Sequence, residues 1–128
     1  MVVLLDTNII IDHLRQPPGK SILSILVKNP SYELQMSVIS MQELYAGSST
    51  LHIQKEKDLV TTTSQFHIVS YTYEIAKLAG IFERDLKKPI GFADAAIAAT
   101  AVINGATLAS LNTRDFTGIQ NLKILPIE

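Results

Sequence analysis

Four acidic residues carry the strongest chemical suggestion in this chain: Asp6, Glu43, Asp94 and Asp115. Asp6 directly follows the apolar run Val2, Val3, Leu4, Leu5, and Glu43 opens a helical segment that follows a second strand-like run. Asp94 opens the Ala-rich stretch that starts at Phe92, and Asp115 lies in the loop Asn112-Thr113-Arg114-Asp115-Phe116 behind a fourth strand. In an open α/β sheet, ligands bind outside the carboxyl ends of the strands, and this reading brings all four acids to that edge. Like charges held together repel and raise one another's pKa, so such a cluster is comfortable only around a cation. An all-oxygen set suits Mg²⁺ or Mn²⁺, which keeps several waters and completes its shell with substrate phosphate. The chemistry that follows is phosphodiester hydrolysis by a metal-activated water.

Each acid also has a plain structural reading. Asp6 can cap a helix, Asp94 is favoured in a first turn by the helix dipole, and Asp115 suits a turn. Ser40-Met41-Gln42-Glu43 fits the capping-box pattern, which would account for Glu43 completely. Only their meeting on one edge favours chemistry.

The elements that must position these residues follow from the apolar pattern. Residues 2–5 predict a strand covered on both faces. A short helix follows Asp6 and breaks at Pro17-Pro18-Gly19, and a second helix spans 20–28. Strand two runs over 33–39, helices over 40–46 and 51–64, and strand three over 66–70. An amphipathic helix over 73–87 carries Ile75, Leu78, Ala79, Phe82 and Leu86 on one stripe. The Ala-rich segment 92–104 predicts a closely packed helix ending at Gly105, followed by strands at 107–111 and 122–127. Strands alternating with helices predict an α/β sandwich on a parallel sheet.

Composition excludes several classes. The chain has 128 residues, 47% of them hydrophobic, which suits one domain over 1–128. Its net charge of -1 argues against binding nucleic acid by bulk charge, although with the four acids set aside the remaining surface is net basic. The absence of Cys removes disulfides, thiolate zinc sites and thiol nucleophiles. No secretion signal opens the chain and no apolar stretch reaches membrane-spanning length, so a cytoplasmic location is expected. His13, His52 and His67 share no ligand-like spacing.

Asp6-Thr7-Asn8-Ile9, Glu43-Leu44-Tyr45-Ala46-Gly47, Phe92-Ala93-Asp94-Ala95-Ala96-Ile97-Ala98-Ala99-Thr100-Ala101, and Thr107-Leu108 through Asn112-Thr113-Arg114-Asp115-Phe116 resemble the four motifs of the PIN-domain ribonucleases, and within them the VapC-like toxins. The resemblance spans nearly the whole chain, and the third and fourth motifs in order are its specific part. It implies a three-layer α/β/α sandwich with a parallel five-stranded sheet, a Mg²⁺- or Mn²⁺-dependent endoribonuclease activity, dimerisation, and inhibition by a partner antitoxin. It also implies Asp6 and Asp94 as the first metal ligands, Glu43 as the next, and Thr7 or Asn8 as positioning residues. Members often have an acid where Asn112 stands, whereas here the acid comes at Asp115, so either Asn112 or Asp115 completes the site, with Asn112 and Thr113 also read as residues that position substrate or water. Two rivals remain: a degenerate PIN domain that binds RNA without cutting it, and a phosphoaspartate-type domain. The second would want further acids beside strand one or after strand three, where the chain reads His67-Ile68-Val69-Ser70-Tyr71.

Overall fold

The computed structural model describes residues 1–127. Five strands, β1 (Val2–Leu5), β2 (Glu33–Ser37), β3 (His67–Val69), β4 (Thr107–Ala109) and β5 (Lys123–Ile124), form one sheet in the order β3-β2-β1-β4-β5. Every pairing is parallel, with Leu5 level with both Met36 and Ala109. The helices are α1 (Thr7–Arg15), α2 (Ile22–Leu26), α3 (Val38–Ala46), α4 (Ile53–Thr63), α5 (Tyr73–Asp85) and α6 (Phe92–Ile103).

Alternation along β1 sorts the helices into two layers. Val3 and Leu5 face a core built with Ile9, Ile10, Leu23, Leu44 and Leu59 of α1 to α4, while Leu4 faces Ile75, Ala79, Phe82 and the alanines of α5 and α6. Val3, Leu4 and Leu5 are all fully buried. A strand apolar on both faces is what a central parallel strand requires, and the three-layer α/β/α sandwich follows. Ala95 to Ala101 of α6 are buried without interruption. Alanine permits that close approach, and the one hydroxyl inside, Thr100, donates to the Ala96 carbonyl at 2.7 Å. Gly105 ends α6 with φ +64°, a left-handed conformation that glycine adopts freely.

The expected element order holds, with different boundaries. Strand two stops at Ser37 instead of continuing to Ile39, because the Ser37 hydroxyl accepts from the Ile39 N–H and starts α3 there. Ser40 is therefore inside the helix rather than at its cap, and the capping-box account of Glu43 is overturned. The expected helix over 51–64 divides into a 3₁₀ turn, Ser48–Leu51, and α4. The last strand is only Lys123–Ile124, with the Leu125 N–H still bonded to the Leu108 carbonyl.

Candidate active site

The carboxyl ends of β1, β2 and β4 lie side by side; Asp6, Glu43 and Asp115 belong to the segments that leave them, and Asp94 to the start of α6, the helix that leads into β4. Asp6 caps α1: one oxygen accepts from the Thr7 N–H at 2.8 Å and the other from the Ser110 hydroxyl at 2.7 Å. Its backbone N–H bonds to the Ala109 carbonyl at 2.8 Å, which ties it to the end of β4. Capping and site placement are thus the same geometry. Burial pushes the Asp6 carboxyl above its ordinary range, although the bonds from Ser110 and Thr7 pull the other way.

Glu43 stands on the second turn of α3, more exposed than Asp6. The Thr7 hydroxyl lies 2.6 Å from its Oε1 and 2.8 Å from Ser40 Oγ. With a single proton to give, Thr7 donates to the carboxylate and accepts from Ser40. Thr7 and Ser40 are buried, so this chain of hydroxyls fixes the Glu43 side chain against α1.

Asp94 is the third residue of α6. Its Gly91 cap offers no side-chain acceptor, so the positive end of the helix faces it uncovered. That dipole would lower its pKa, yet the group is pushed up to about 6, first by burial and then by the charges of Asp6, Asp115 and Glu43. Asp6, Asp115 and Glu43 thus lie near enough for their charges to act on Asp94. The Asp94 carboxylate also makes no hydrogen bond to any described residue. Asp115, in the 3₁₀ turn Thr113–Phe116, accepts from the Asn112 Nδ2 at 2.7 Å. Asn112 and Asp115 are therefore hydrogen-bonded to each other, and the Asp115 charge acts on both Asp6 and Asp94.

Asn8 does not turn toward the acids. Its Oδ1 accepts from the Leu111 N–H at 3.1 Å and its Nδ2 donates to Ser110 Oγ at 3.3 Å, so it buttresses the loop after β4. Thr113 starts the 3₁₀ turn and lines a cavity with Ser110 and Leu111. Sequence reasoning missed Ser110, whose hydroxyl donates to Asp6 and accepts from Asn8 and the Asn112 N–H. It follows Ala109 at the end of β4, the signal that could have found it. Ser40 was assigned to a cap and instead serves Thr7.

The donor set is carboxylate and hydroxyl oxygen without imidazole or thiolate, which fits a hard divalent cation. Among the described residues no three Asp, Glu, His or Cys side chains stand close enough together to hold a metal ion by themselves, and the one side-chain ion pair lies elsewhere, at Arg84 and Asp85. A half-buried Asp94 facing three other acids thus has no cation of the protein's own to offset it. An ion that retains water and borrows substrate oxygens needs no closed cage.

The PIN domain family profile matches residues 3–121. The chain is 31% identical over 126 residues to Ribonuclease VapC19 of Mycobacterium tuberculosis, covering 94% of this chain and 96% of that protein. The structure superposes on VapBC-1 from nontypeable Haemophilus influenzae with a TM-score of 0.81 and 28% identity, over 98% of this chain and 97% of that one. For VapBC2 from Rickettsia felis bound to a promoter DNA fragment the TM-score is 0.86 over the full length of both chains, at 23% identity, a likeness of fold. With its motifs, its sheet and its curated relatives in agreement, the chain belongs to the PIN domain family.

Proposed function

We propose that this protein is a divalent-metal-dependent endoribonuclease and the toxin of a toxin–antitoxin pair, acting on RNA in the cytoplasm as a homodimer held in check by a cognate antitoxin. The observation that carries the reading is Asp94: a half-buried carboxylate without a hydrogen-bond partner, raised to about 6 amid three other acids. A folded protein that retains such repulsion without a neutralising side chain is organised for a cation and a phosphate. The ribonuclease name of the M. tuberculosis relative and the VapBC assembly of the H. influenzae one support the same assignment.

Asp6, Glu43, Asp94 and Asp115 would hold Mg²⁺ or Mn²⁺, which supplies an activated water and offsets charge on the phosphoryl oxygens. The remaining groups orient these ligands. Ser110 fixes Asp6, Thr7 and Ser40 fix Glu43, and Asn112 fixes Asp115, each through a hydrogen bond of 2.6 to 2.8 Å. Outer contacts of this kind hold ligands in orientation and tune the site. Asn8 holds the loop after β4 through Ser110 and Leu111, and Thr113, on the wall of the neighbouring cavity, would position substrate or water.

The test is cleavage of RNA by the purified protein with Mn²⁺, with Mg²⁺ and with chelator, for wild type, Asp6→Asn and Asp94→Asn, alongside growth on expression. Wild type is expected to cut RNA only with metal and to arrest growth, and both variants to stay folded and do neither. Wild-type rates in a folded Asp94→Asn protein would overturn the mechanism. Coexpression of the protein encoded by the adjoining reading frame should relieve the arrest and copurify with the chain; failure to do either would remove the antitoxin part.

A further inference from the structure

Beside the acids lies a cleft that the proposed chemistry leaves unused. On α3, Ile39, Gln42, Glu43 and Ala46 recur at helical spacing and form one stripe, and across from it stand Phe92 and Ala93 at the start of α6. Together they enclose about 130 Å³. Phe92 is 62% exposed although it is a large aromatic. A solitary exposed aromatic needs no explanation, but this one forms the wall of a cleft whose other wall includes Glu43. Whatever occupies the cleft therefore lies next to the reacting phosphate. The Gln42 amide, which bonds to no described residue, offers a donor and an acceptor at the same place.

We propose that this cleft is a nucleobase subsite, in which Phe92 stacks on an unpaired base adjoining the scissile phosphate and Gln42 reads that base's edge. The inference rests on the endoribonuclease reading and adds to it the part of the substrate that is recognised. Sequence-specific recognition of RNA works on splayed, single-stranded bases held by aromatic faces and edge hydrogen bonds, and the cleft provides one of each. Its size suits one planar ring system. A second copy of the chain is the competing occupant. Its apolar side chains would strip water from Glu43, a carboxylate already facing other acids, and leave it without compensation. A base instead brings in-plane N–H groups that the Gln42 and Glu43 oxygens accept.

The experiment digests a randomised pool of short single-stranded RNAs with wild type, Phe92→Ala, Phe92→Tyr and Gln42→Ala in Mn²⁺, sequences the cut ends, and measures KM and kcat on the preferred sequence. Wild type is expected to show a base preference at one position flanking the cut. Phe92→Ala should raise KM roughly 5- to 150-fold, the range equivalent to a stacking interaction of about 1–3 kcal/mol. Phe92→Tyr should restore KM, and Gln42→Ala should relax the base preference. Removing the base at that position should cost wild type the same factor and cost Phe92→Ala nothing further, as coupled partners require. Wild-type KM in Phe92→Ala, or an equal penalty for the abasic RNA in both proteins, overturns the subsite. A Phe92→Ala protein that changes oligomeric state by light scattering while retaining the abasic penalty gives the cleft to a second copy and overturns it as well. Wild type that cuts no RNA in Mn²⁺ overturns the endoribonuclease reading itself, whereas cutting wild type with an indifferent Phe92→Ala overturns only the subsite.

Discussion

Asparagine at position 94 is expected to make the metal-free protein more stable, and to do so only away from acid. The folded-state value of Asp94 lies at about 6 against an ordinary 3.8. Between those values the folded protein holds more protons than the unfolded chain, so stability is fullest below about pH 4 and declines as pH rises through 6. At face value a rise of about two units is worth about 3 kcal/mol. Asp94 is only half-buried, and solvent screening of such a group reduces this to about 1 kcal/mol. The helix dipole, which favours the carboxylate by roughly 0.3 to 1 kcal/mol, works against the rise, and burial with the three neighbouring charges outweighs it. In a domain of this size 1 kcal/mol moves the melting temperature by about 3 to 5 °C. Thermal unfolding in chelator is therefore expected to show Asp94→Asn above wild type by that amount at pH 7.5, with the two curves merging near pH 4. Saturating Mn²⁺ reverses the order: a ligand at 100 times its dissociation constant adds about 2.7 kcal/mol to wild type, and less to a variant lacking one ligand charge. A wild type as stable as Asp94→Asn in chelator at pH 7.5, or a difference that persists at pH 4, would refute the argument that uncompensated repulsion marks this site.

Glu43→Gln and Thr7→Val separate holding from charge. The amide oxygen of Gln still accepts from Thr7, so urea unfolding should change by less than about 0.5 kcal/mol while metal-dependent cleavage falls by more than about tenfold. Thr7→Val strands the buried Ser40 hydroxyl and frees Glu43, and is expected to cost about 1 to 2 kcal/mol and to weaken Mn²⁺ binding roughly 10- to 100-fold by calorimetry. Ser110→Ala leaves the Asn112 N–H and the Asn8 amide without their shared acceptor and Asp6 without its donor. It should destabilise by about 2 kcal/mol and lower metal affinity as well, and unchanged affinity would return Ser110 to a purely structural role.

The sheet was legible because its signal is crude. Val2–Leu5 is apolar at every position, and the alanines of α6 leave no doubt about burial. The start of α3 was not, because Val38 and Ile39 are β-branched and continue the pattern of β2 while Ser37 bends the backbone into a helix with one hydrogen bond. The capping box pointed to Ser40, three residues before Glu43, whereas the cap is Ser37. That error concealed the Thr7 to Glu43 contact, which crosses 36 positions and has no local trace. Ser110 escaped for a related reason: its three partners belong to α1, to Asp6 and to the following loop, and only the paired sheet brings them together. The motif acids were readable because each lies in or at the start of a segment next to a strand or helix end, Asp6 directly after β1 and Asp94 in the first turn of α6, whereas the hydroxyls that orient them depend on tertiary contact.

The placement of the first strand in the middle of the sheet has a consequence for timing. Asp6 precedes Ser110, the neighbour that orients it, by 104 positions, and β4 and β5 follow the other three strands along the chain. Until those segments leave the ribosome, β1 lacks one of its two flanking strands, and the Asp6 carboxylate lacks the Ser110 hydroxyl. Pairing of such distant segments is also slow to nucleate. A nascent chain that has not yet reached β4 and the loop behind it therefore cannot assemble the four acids, because Asp115 and the hydroxyl that orients Asp6 both lie beyond that point.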